Sequence, residues 1–285
     1  PRWVDRHSSL ARCHPIVMIM EILRYAAFST DPAGGNPAGV VLDATGFGDD
    51  QMQRVAAEVG YSETAFLIPG RDGHFKVRYF SPKAEVPFCG HATIASAVAY
   101  AERHGPGALH LDTAAGRVEV STKVLADGTT TATLISVEPH SKPVSAADLT
   151  ALREALHWRP GDLDPALPPR VAFAGAWHPI VAAASRQRLA NLDYDMAALA
   201  NLMTQRDWTT INLIYRHSEL VFHARNPFPP GGVVEDAATG AAAAALGGYL
   251  RETRLVTPPA TVTVHQGQDM GRPSLIVIDI PTQPR

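Results

Sequence analysis

The sequence predicts a mixed α/β (α+β) fold of two similar halves, in each of which a β-sheet wraps around a central buried helix. Residues 92–100 and 241–250 consist almost entirely of small or apolar side chains, so a helix in either place is apolar on all sides and belongs in the interior. Each segment follows a polar turn that contains glycine. The two turns lie about 145 residues apart, and this spacing indicates a repeated architecture.

Composition limits the classes of function. With 285 residues, of which 46% are hydrophobic and 19% charged, the chain can form two globular domains. The net charge of −3 and the absence of Lys/Arg-rich runs argue against a nucleic-acid partner. No stretch reaches the roughly 20 strongly apolar residues of a membrane span, so we expect no membrane association. The apolar run at 16–20 is shorter than a signal-peptide core of about 7–15 residues, and we expect a cytoplasmic protein.

The first half is assigned to residues 20–138. Residues 1–19 lack a periodic pattern, and two methionines, Met18 and Met20, lie at their end, so we interpret them as an N-terminal extension, disordered or non-native, and leave them out of the fold. Apolar and alternating runs bounded by turn residues predict the strands, and an apolar stripe that ends at Gly60 predicts the helix. The predicted strands are 22–28, 39–42, 61–68, 75–80, 108–112, 117–122 and 130–136, and the helix is 49–59.

The second half is assigned to residues 139–273. Residues 139–143 are predicted to be a crossover, and the proline-rich stretch 159–169 a loop. The last strand, 274–281, is a candidate for pairing back into the first half. The predicted helices are 146–156 and 195–205, and the predicted strands are 170–174, 179–184, 210–215, 220–226, 258–265 and 274–280.

Three polar residues are candidates for chemistry, and each has a structural alternative. Glu63 lies among apolar neighbours, where burial would raise its pKa and suit a general acid/base, or it is a surface-facing strand residue. His91 lies at a buried helix start and either binds ligand or shuttles a proton, or it caps the helix. Asp236 occupies the equivalent turn of the second half and has the same two interpretations. Free backbone N–H groups at both helix starts suit a carboxylate ligand.

Cysteine and histidine usage gives no signal for other chemistries. Cys13 and Cys89 are too few for a disulfide framework, and the histidine spacing predicts no metal site. A racemase with two facing thiols would need a second cysteine in the turn at 235–240, which has none. We therefore interpret Cys89 as a small buried residue rather than a nucleophile.

Several stretches of the chain resemble the PhzF-like isomerases of phenazine biosynthesis, which are relatives of diaminopimelate epimerase. Together they cover nearly all of residues 22–280. The matching stretches are FSTDPAGGNPAGVVLDA (28–44), AAEVGYSETAFL (56–67), VRYFSPKAEVPFCGHATIASA (77–97), EDAATGAAAAALGGYL (235–250) and QGQDMGRPSLIVI (266–278).

The resemblance implies a diaminopimelate epimerase-like fold of two pseudo-symmetric domains, each a barrel-like sheet around a central helix, with the active site between them. It also implies an isomerase without cofactor, commonly a homodimer, that acts on a small carboxylate. By position, Glu63 becomes the proton-shuttling acid/base, and His91 and Asp236 line the site. The residues assigned to substrate binding are Asn36, Gly90, Ala92, Thr239, Gly240 and Ala241.

Two positions depart from the family pattern. Ala237 replaces a usual proline and Ala241 a usual serine. The loss of that hydroxyl removes a polar contact and leaves open a substrate other than the phenazine precursor.

The sequence thus predicts a cofactor-independent isomerase that moves a proton within a small carboxylate-bearing metabolite, with Glu63 acting first as base and then as acid. One alternative is a racemase or epimerase of an amino or hydroxy acid, in which Asp236 or Cys89 would be the second acid/base group. Another is a non-catalytic metabolite-binding protein that has kept the cleft, and the fold alone does not decide between them.

Overall fold

The structure, a computed structural model, describes residues 21–71 and 73–283. Within these residues the chain forms 16 strands and six α-helices, and the strands make two eight-stranded mixed sheets. This confirms the predicted α/β fold of two similar halves. The predicted extension at 1–19 lies outside the described residues. None of the helices in the described part of the chain is long and apolar enough to span a membrane.

The first sheet is formed by the N-terminal part of the chain, in the order β1-β2-β3-β4-β6-β7-β8, with β5 paired to β4. Two helices, α1 (Asp49–Val59) and α2 (Gly90–His104), accompany it. Its strands are β1 (Leu23–Ala27), β2 (Asn36–Val41), β3 (Glu63–Pro69), β4 (His74–Phe80), β5 (Glu85–Val86), β6 (Ala108–Thr113), β7 (Gly116–Val124) and β8 (Thr130–Leu134).

The second sheet has the order β16-β15-β13-β12-β11-β10-β9, with β14 paired to β13. Its strands are β9 (His140–Pro143), β10 (Arg170–Phe173), β11 (Trp177–Ala182), β12 (Asn212–Arg216), β13 (Val221–Phe228), β14 (Val233–Asp236), β15 (Ala260–Gln266) and β16 (Ser274–Ile280). Its helices are α3 (Ala146–Ala155), α4 (Arg186–Ala190), α5 (Met196–Arg206) and α6 (Gly240–Glu252).

The two halves repeat one topology. Each sheet contains two parallel strand pairs, β2/β3 and β4/β6 in the first and β11/β12 and β13/β15 in the second. Parallel strands need a crossover connection, and each of these four crossovers contains a helix. Helices α2 and α6 occupy the corresponding crossover in each half, and a short strand, β5 or β14, precedes each of them.

Each sheet curls around its crossover helix. Helix α2 contacts β1, β2, β3, β7 and β8, and α6 contacts β9, β10, β11 and β16. The alanine-rich surfaces of both helices are buried in separate hydrophobic cores, one in each half. Burial of apolar surface on all sides of a helix is what the composition of residues 92–100 and 241–250 predicts.

Two predicted connections are wrong. The predicted crossover at 139–143 contains β9, which pairs antiparallel with β10 at the edge of the second sheet. Proline is tolerated there because an edge strand need not donate every backbone hydrogen bond. The last strand, β16, does not pair into the first sheet. It pairs with β15 along its whole length, from Ala260 opposite Ile280 to Gln266 opposite Ser274, because a short connection makes the two strands an antiparallel hairpin.

The loop before β2 is held against the second half. Arg272 donates from Nε to the Gly35 carbonyl oxygen at 2.9 Å and from Nη2 to the Gly34 carbonyl oxygen at 2.7 Å. Gly35 has φ 63°, and a Cβ added to it would lie 2.4 Å from the Ala27 carbonyl oxygen, so this turn requires glycine. The contact brings Asn36, the first residue of β2, to the second half of the molecule.

Close packing of α6 depends on two adjacent glycines. A Cβ added at Gly248 would lie 2.5 Å from Cβ of Pro139, and one added at Gly247 would lie 2.8 Å from Cγ2 of Ile278. The proline ring is rigid, whereas the isoleucine methyl group can move by rotation of one side-chain bond.

We predict that Gly248→Ala lowers the free energy of unfolding by about 1–3 kcal/mol, which is typical of overpacking. This loss should exceed the gain in stability of roughly 0.5–1 kcal/mol that alanine otherwise gives when it replaces glycine inside a helix. Urea denaturation measures the difference. Gly247→Ala is the matched control, because it has the same helix propensity gain and a softer contact, and it should lose less stability. A Gly248→Ala protein as stable as the parent would contradict this packing.

Candidate active site

Glu63 is the first residue of β3, and its carboxylate contacts the turn that begins α2. Its Oε2 atom lies 3.5 Å from Sγ of Cys89 and 3.4 Å from Nε2 of His91. Only 18% of the Glu63 side chain is exposed, and 8% of the His91 side chain. Glu63 is therefore not the surface-facing strand residue of the structural alternative. It lies at the edge of a polar cluster and keeps limited access to solvent.

Cys89 and His91 flank the first residue of α2. Cys89 is the N-cap residue in an extended conformation (φ −144°, ψ 111°), and Gly90 begins the helix. The Cys89 Sγ atom lies 3.3 Å from Nδ1 of His91, and Oγ of Ser62 lies 3.4 Å from Nε2 of the same ring. Burial raises the pKa of the Cys89 thiol well above its usual value, and the negative charge of Glu63 raises it further. The protonated thiol donates a hydrogen bond to Glu63.

Asp236 is the last residue of β14 and lies three residues before α6. Its Oδ1 atom accepts a hydrogen bond from Nδ2 of Asn36 at 2.8 Å, and its Oδ2 atom accepts one from Oγ1 of Thr239 at 2.6 Å. Burial raises the pKa of this carboxyl group. A positive charge on His91 and the two hydrogen bonds act in the opposite direction. Asp236 therefore binds side chains and not the backbone of α6, so it is not the helix cap of the structural alternative.

The contact between Asn36 and Asp236 joins the two halves. Asn36 is buried, and its amide nitrogen also donates to the carbonyl oxygen of Ala238 at 3.0 Å. Strands β2 and β3 are parallel neighbours, with Ala38 opposite Glu63. Asn36 and Glu63, the first residues of these strands, therefore lie at the same end of the first sheet. Negative charge on Glu63 also raises the pKa of Asp236. A hydrogen bond between the halves therefore joins the start of β2, the strand next to that of Glu63, to the turn that carries Asp236.

The two turn glycines lie at the helix starts, as the sequence predicts. Gly90 and Gly240 are the first residues of α2 and α6, and the two helices contact each other. A Cβ added at Gly240 would lie 3.3 Å from Cζ of Phe28, which belongs to the first half. Ala92 and Ala241 lie in the first turns of these helices, and Thr239 is the N-cap residue of α6. The start of α6 thus lies against the first half.

Gln266, the last residue of β15, was not found by sequence reasoning. Its amide nitrogen donates to the Asp236 carbonyl oxygen at 2.9 Å, and its amide oxygen accepts from the Thr239 backbone N–H at 3.1 Å. The side chain is buried. The signal available in the sequence was an amide side chain at the end of an apolar strand, where the matching stretch 266–278 begins. Gln266 holds the turn between Asp236 and α6 in place.

Glu235, the neighbour of Asp236, has a different environment. Its carboxylate is buried and pairs with the Arg225 guanidinium, with Nε of Arg225 at 2.9 Å from Oε2. Successive residues of a strand point to opposite faces. Glu235 therefore forms a structural ion pair, whereas the carboxylate of Asp236 faces the site.

Comparisons with known proteins agree with the fold and the motifs. Residues 25–284 match the family model PhzC-PhzF, described as phenazine biosynthesis-like protein. The uncharacterized isomerase YfhB of Bacillus subtilis (strain 168) is 30% identical over 271 residues, which cover 91% of this chain and 90% of the relative. Trans-2,3-dihydro-3-hydroxyanthranilate isomerase of Pseudomonas aeruginosa is 30% identical over 257 residues, 87% of this chain and 86% of that one.

A solved structure extends the comparison. The crystal structure of the Bacillus anthracis phenazine biosynthesis protein of the PhzF family is similar with a TM-score of 0.81 at 27% identity, and the match covers 90% of this chain and 89% of that one. Fold and relatives together define an enzyme of the isomerase class. The chain belongs to the PhzC-PhzF, or phenazine biosynthesis-like, family. The predicted resemblance and enzyme class are confirmed.

The pKa of Asp236 predicts how stability depends on pH. Because burial raises this pKa in the folded protein above the ordinary 3.8, the folded chain holds the proton more tightly than the unfolded chain does. The contribution of Asp236 to stability is therefore fully present below pH 3.8 and is lost as pH rises through the folded pKa. Asparagine does not titrate. The stability of the Asp236→Asn protein relative to the parent protein should therefore increase as pH rises from acidic to neutral values.

Urea denaturation of both proteins across this pH range measures the relative stability. Asp127→Asn is a control of opposite sign, because a hydrogen bond within the Asp127–Thr129 turn lowers the pKa of the exposed Asp127. Its relative stability should not increase with pH. A relative stability of Asp236→Asn that falls as pH rises would contradict the prediction.

Proposed function

We propose that the protein is a cofactor-independent isomerase that moves a proton between two carbons of a small carboxylate-bearing metabolite, with Glu63 as the acid/base group. The observation that carries the proposal is the contact of the Glu63 carboxylate with Cys89 and His91 at the start of a buried helix. A carboxylate that is mostly buried, yet reachable from solvent, suits a group that must take a proton and later return it.

Cys89 and His91 support this role by orienting Glu63. The thiol donates to the same carboxylate oxygen that lies 3.4 Å from the His91 ring, so two neighbours fix the position of Oε2. Oriented groups contribute to catalysis because they reduce the entropy lost on reaching the reactive geometry. Glu63 would remove a proton next to an unsaturated or carboxylated carbon and return it at a second carbon of the same molecule.

The two helix starts would bind the carboxylate of the substrate. The first N–H groups of α2 and α6, beginning at Gly90 and Gly240, carry the positive end of a helix dipole and lack partners within their helices. Negative charge that develops on the substrate during proton removal would be offset by the same groups. Asp236, held by Asn36 and Thr239, would accept a hydrogen bond from an amino or hydroxyl group of the substrate.

The first compound to test is trans-2,3-dihydro-3-hydroxyanthranilate, the substrate in the name of the P. aeruginosa relative. It carries a carboxylate for the helix starts and amino and hydroxyl groups for Asp236. Because Ala241 lacks the hydroxyl that the family usually has, a panel of related cyclic amino carboxylates belongs in the same screen.

Epimerisation at a single carbon is the second candidate. Two-base epimerisation needs acid/base groups on opposite faces of the reacting carbon. Cys89 contacts Glu63 at 3.5 Å, which leaves no space for a substrate carbon between them, so Asp236 would have to be the second group. The hydrogen bonds that Asp236 accepts from Asn36 and Thr239 favour a binding role for this carboxylate and proton transfer by Glu63 alone.

The proposal predicts that Glu63→Gln lowers turnover by roughly 10²–10⁴-fold with little change in KM, because glutamine keeps the shape of the side chain and cannot take up a proton. Turnover is followed by NMR in D₂O, which also reports the position at which deuterium enters the product. Glu58→Gln is the matched control, since Glu58 is an exposed residue at the end of α1 and its replacement should leave turnover unchanged.

Three results would contradict the proposal. Glu63→Gln activity within about tenfold of the parent would exclude the acid/base role. Deuterium incorporation with inversion at one carbon would identify an epimerase. Binding of the panel compounds without any proton exchange or product would identify a non-catalytic binding protein.

A further inference from the structure

We propose that Glu63, Cys89 and His91 also form a binding site for one thiophilic divalent cation of the Zn²⁺ type, and that the bound ion blocks the acid/base carboxylate. Metal binding at this cluster is independent of the reaction. Inhibition by the metal rests on the proposed function, because it requires Glu63 to be the acid/base group.

The three side chains already have the spacing of a metal site. A tetrahedral zinc ion with a bond of about 2.3 Å to sulfur and bonds of about 2.1 Å to nitrogen and oxygen separates its ligand atoms by about 3.4–3.6 Å. Here Nε2 of His91 lies 3.4 Å from Oε2 of Glu63, and Sγ of Cys89 lies 3.5 Å from Oε2 and 3.8 Å from Nε2. These three atoms therefore approximate one face of the tetrahedron, and a water molecule or a substrate group would complete it.

The donor atoms select the type of metal. Thiolate, imidazole and carboxylate together suit Zn²⁺ and similar transition-metal ions, whereas Mg²⁺ and Ca²⁺ prefer oxygen ligands alone. The charge is also suitable, because one thiolate and one carboxylate balance a divalent ion. Among the described residues, this is the group in which at least three potential ligand atoms lie within 4.8 Å of one another.

The site is preorganised by the fold. Cys89 and His91 lie at the first turn of a buried helix, and Glu63 is the first residue of β3. The fold therefore already brings the three side chains together, and an ion need not do so. The exposed fraction of Glu63 gives access from solvent. Binding displaces the thiol proton: Cys–SH and Zn²⁺ give Cys–S–Zn⁺ and one H⁺ released to solvent.

The proposed ion would occupy the carboxylate oxygen that takes up the substrate proton. Micromolar Zn²⁺ or Cd²⁺ would then inhibit turnover, Mg²⁺ at the same concentration would not, and a chelator would restore activity. The sequence does not predict this site, because a carboxylate far upstream of a Cys-x-His turn matches no metal-binding motif.

Direct binding provides the test. The full chain is dialysed against ZnCl₂ to measure stoichiometry and affinity, and against CoCl₂ to record the thiolate-to-cobalt charge-transfer absorption, which reports a metal–sulfur bond without any assay of activity. We expect one equivalent of metal and a clear charge-transfer band. Cys89→Ala and Cys89→Ser should both lose the band, and zinc affinity should fall more than about tenfold, as it does even for weaker perturbations of metal sites.

The matched control is Cys13→Ala, which removes the other cysteine of the chain, outside the described residues. It should keep the band and the affinity of the parent. Circular dichroism establishes that each variant is folded, and His91→Gln replaces either Cys89 variant that is not, with the same expected loss of zinc affinity.

Two results would overturn the proposal: absence of zinc binding by the parent protein, or a band that persists in the Cys89 variants and disappears in Cys13→Ala. Failure of the proposed function gives a different pattern. Zinc binding with no turnover of any compound would leave the metal site standing and reject the isomerase mechanism. Loss of turnover in Glu63→Gln without zinc binding would reject the metal site alone.

Discussion

Burial of the two small-residue helices is the constraint on which the rest of the structure depends. Helices α2 and α6 have no polar face, so each sheet must close around its helix to keep apolar surface from water. The few hydroxyls inside α2 are satisfied locally: Thr93 donates to the Cys89 carbonyl oxygen and Ser96 to that of Ala92, both at 2.7 Å. A buried helix also has a buried start, and that start is where backbone N–H groups have no partner within the helix.

Polar side chains at these buried starts must find partners, because an unsatisfied buried polar group costs about 1–3 kcal/mol. Asn36 reaches from the first half to Asp236, and Gln266 closes the turn before α6. Arg272 holds the glycine loop that carries Asn36. The contacts that join the halves are therefore the same contacts that position the polar groups of the site, so stability and site geometry are coupled.

The two halves share a topology but not the chemistry of their turns. The start of α2 carries a thiol and an imidazole against Glu63, whereas the start of α6 carries a carboxylate whose two oxygens are already hydrogen-bonded. A repeated fold can thus have one proton-transferring side and one binding side. This asymmetry supports transfer of a proton between positions of one substrate by a single group. It also concentrates three different metal-ligand types on one side of the site.

Local signals in the sequence were sufficient for much of the fold and for part of the site. Helix α1 ends where Gly60 takes the left-handed conformation, and the alanine-rich segments are the buried helices, because both features depend on neighbouring residues. The turns around Glu63, His91 and Asp236 were recognisable as motifs for the same reason. Strand β9 was missed because Pro139 precedes it and Pro143 ends it, and prolines indicate a break in a strand unless the strand is known to lie at a sheet edge.

By itself, the sequence determined which segments are buried, that the chain contains two similar units, and which polar residues stand at the helix starts. These properties follow from side-chain size, periodicity and turn residues within short windows. Only the tertiary structure decided that β16 pairs with β15, that Gln266 supports Asp236, and that Cys89 lies against Glu63. Such pairings join residues distant in the chain, and their geometry is set by how two sheets close around two helices, which no local pattern encodes.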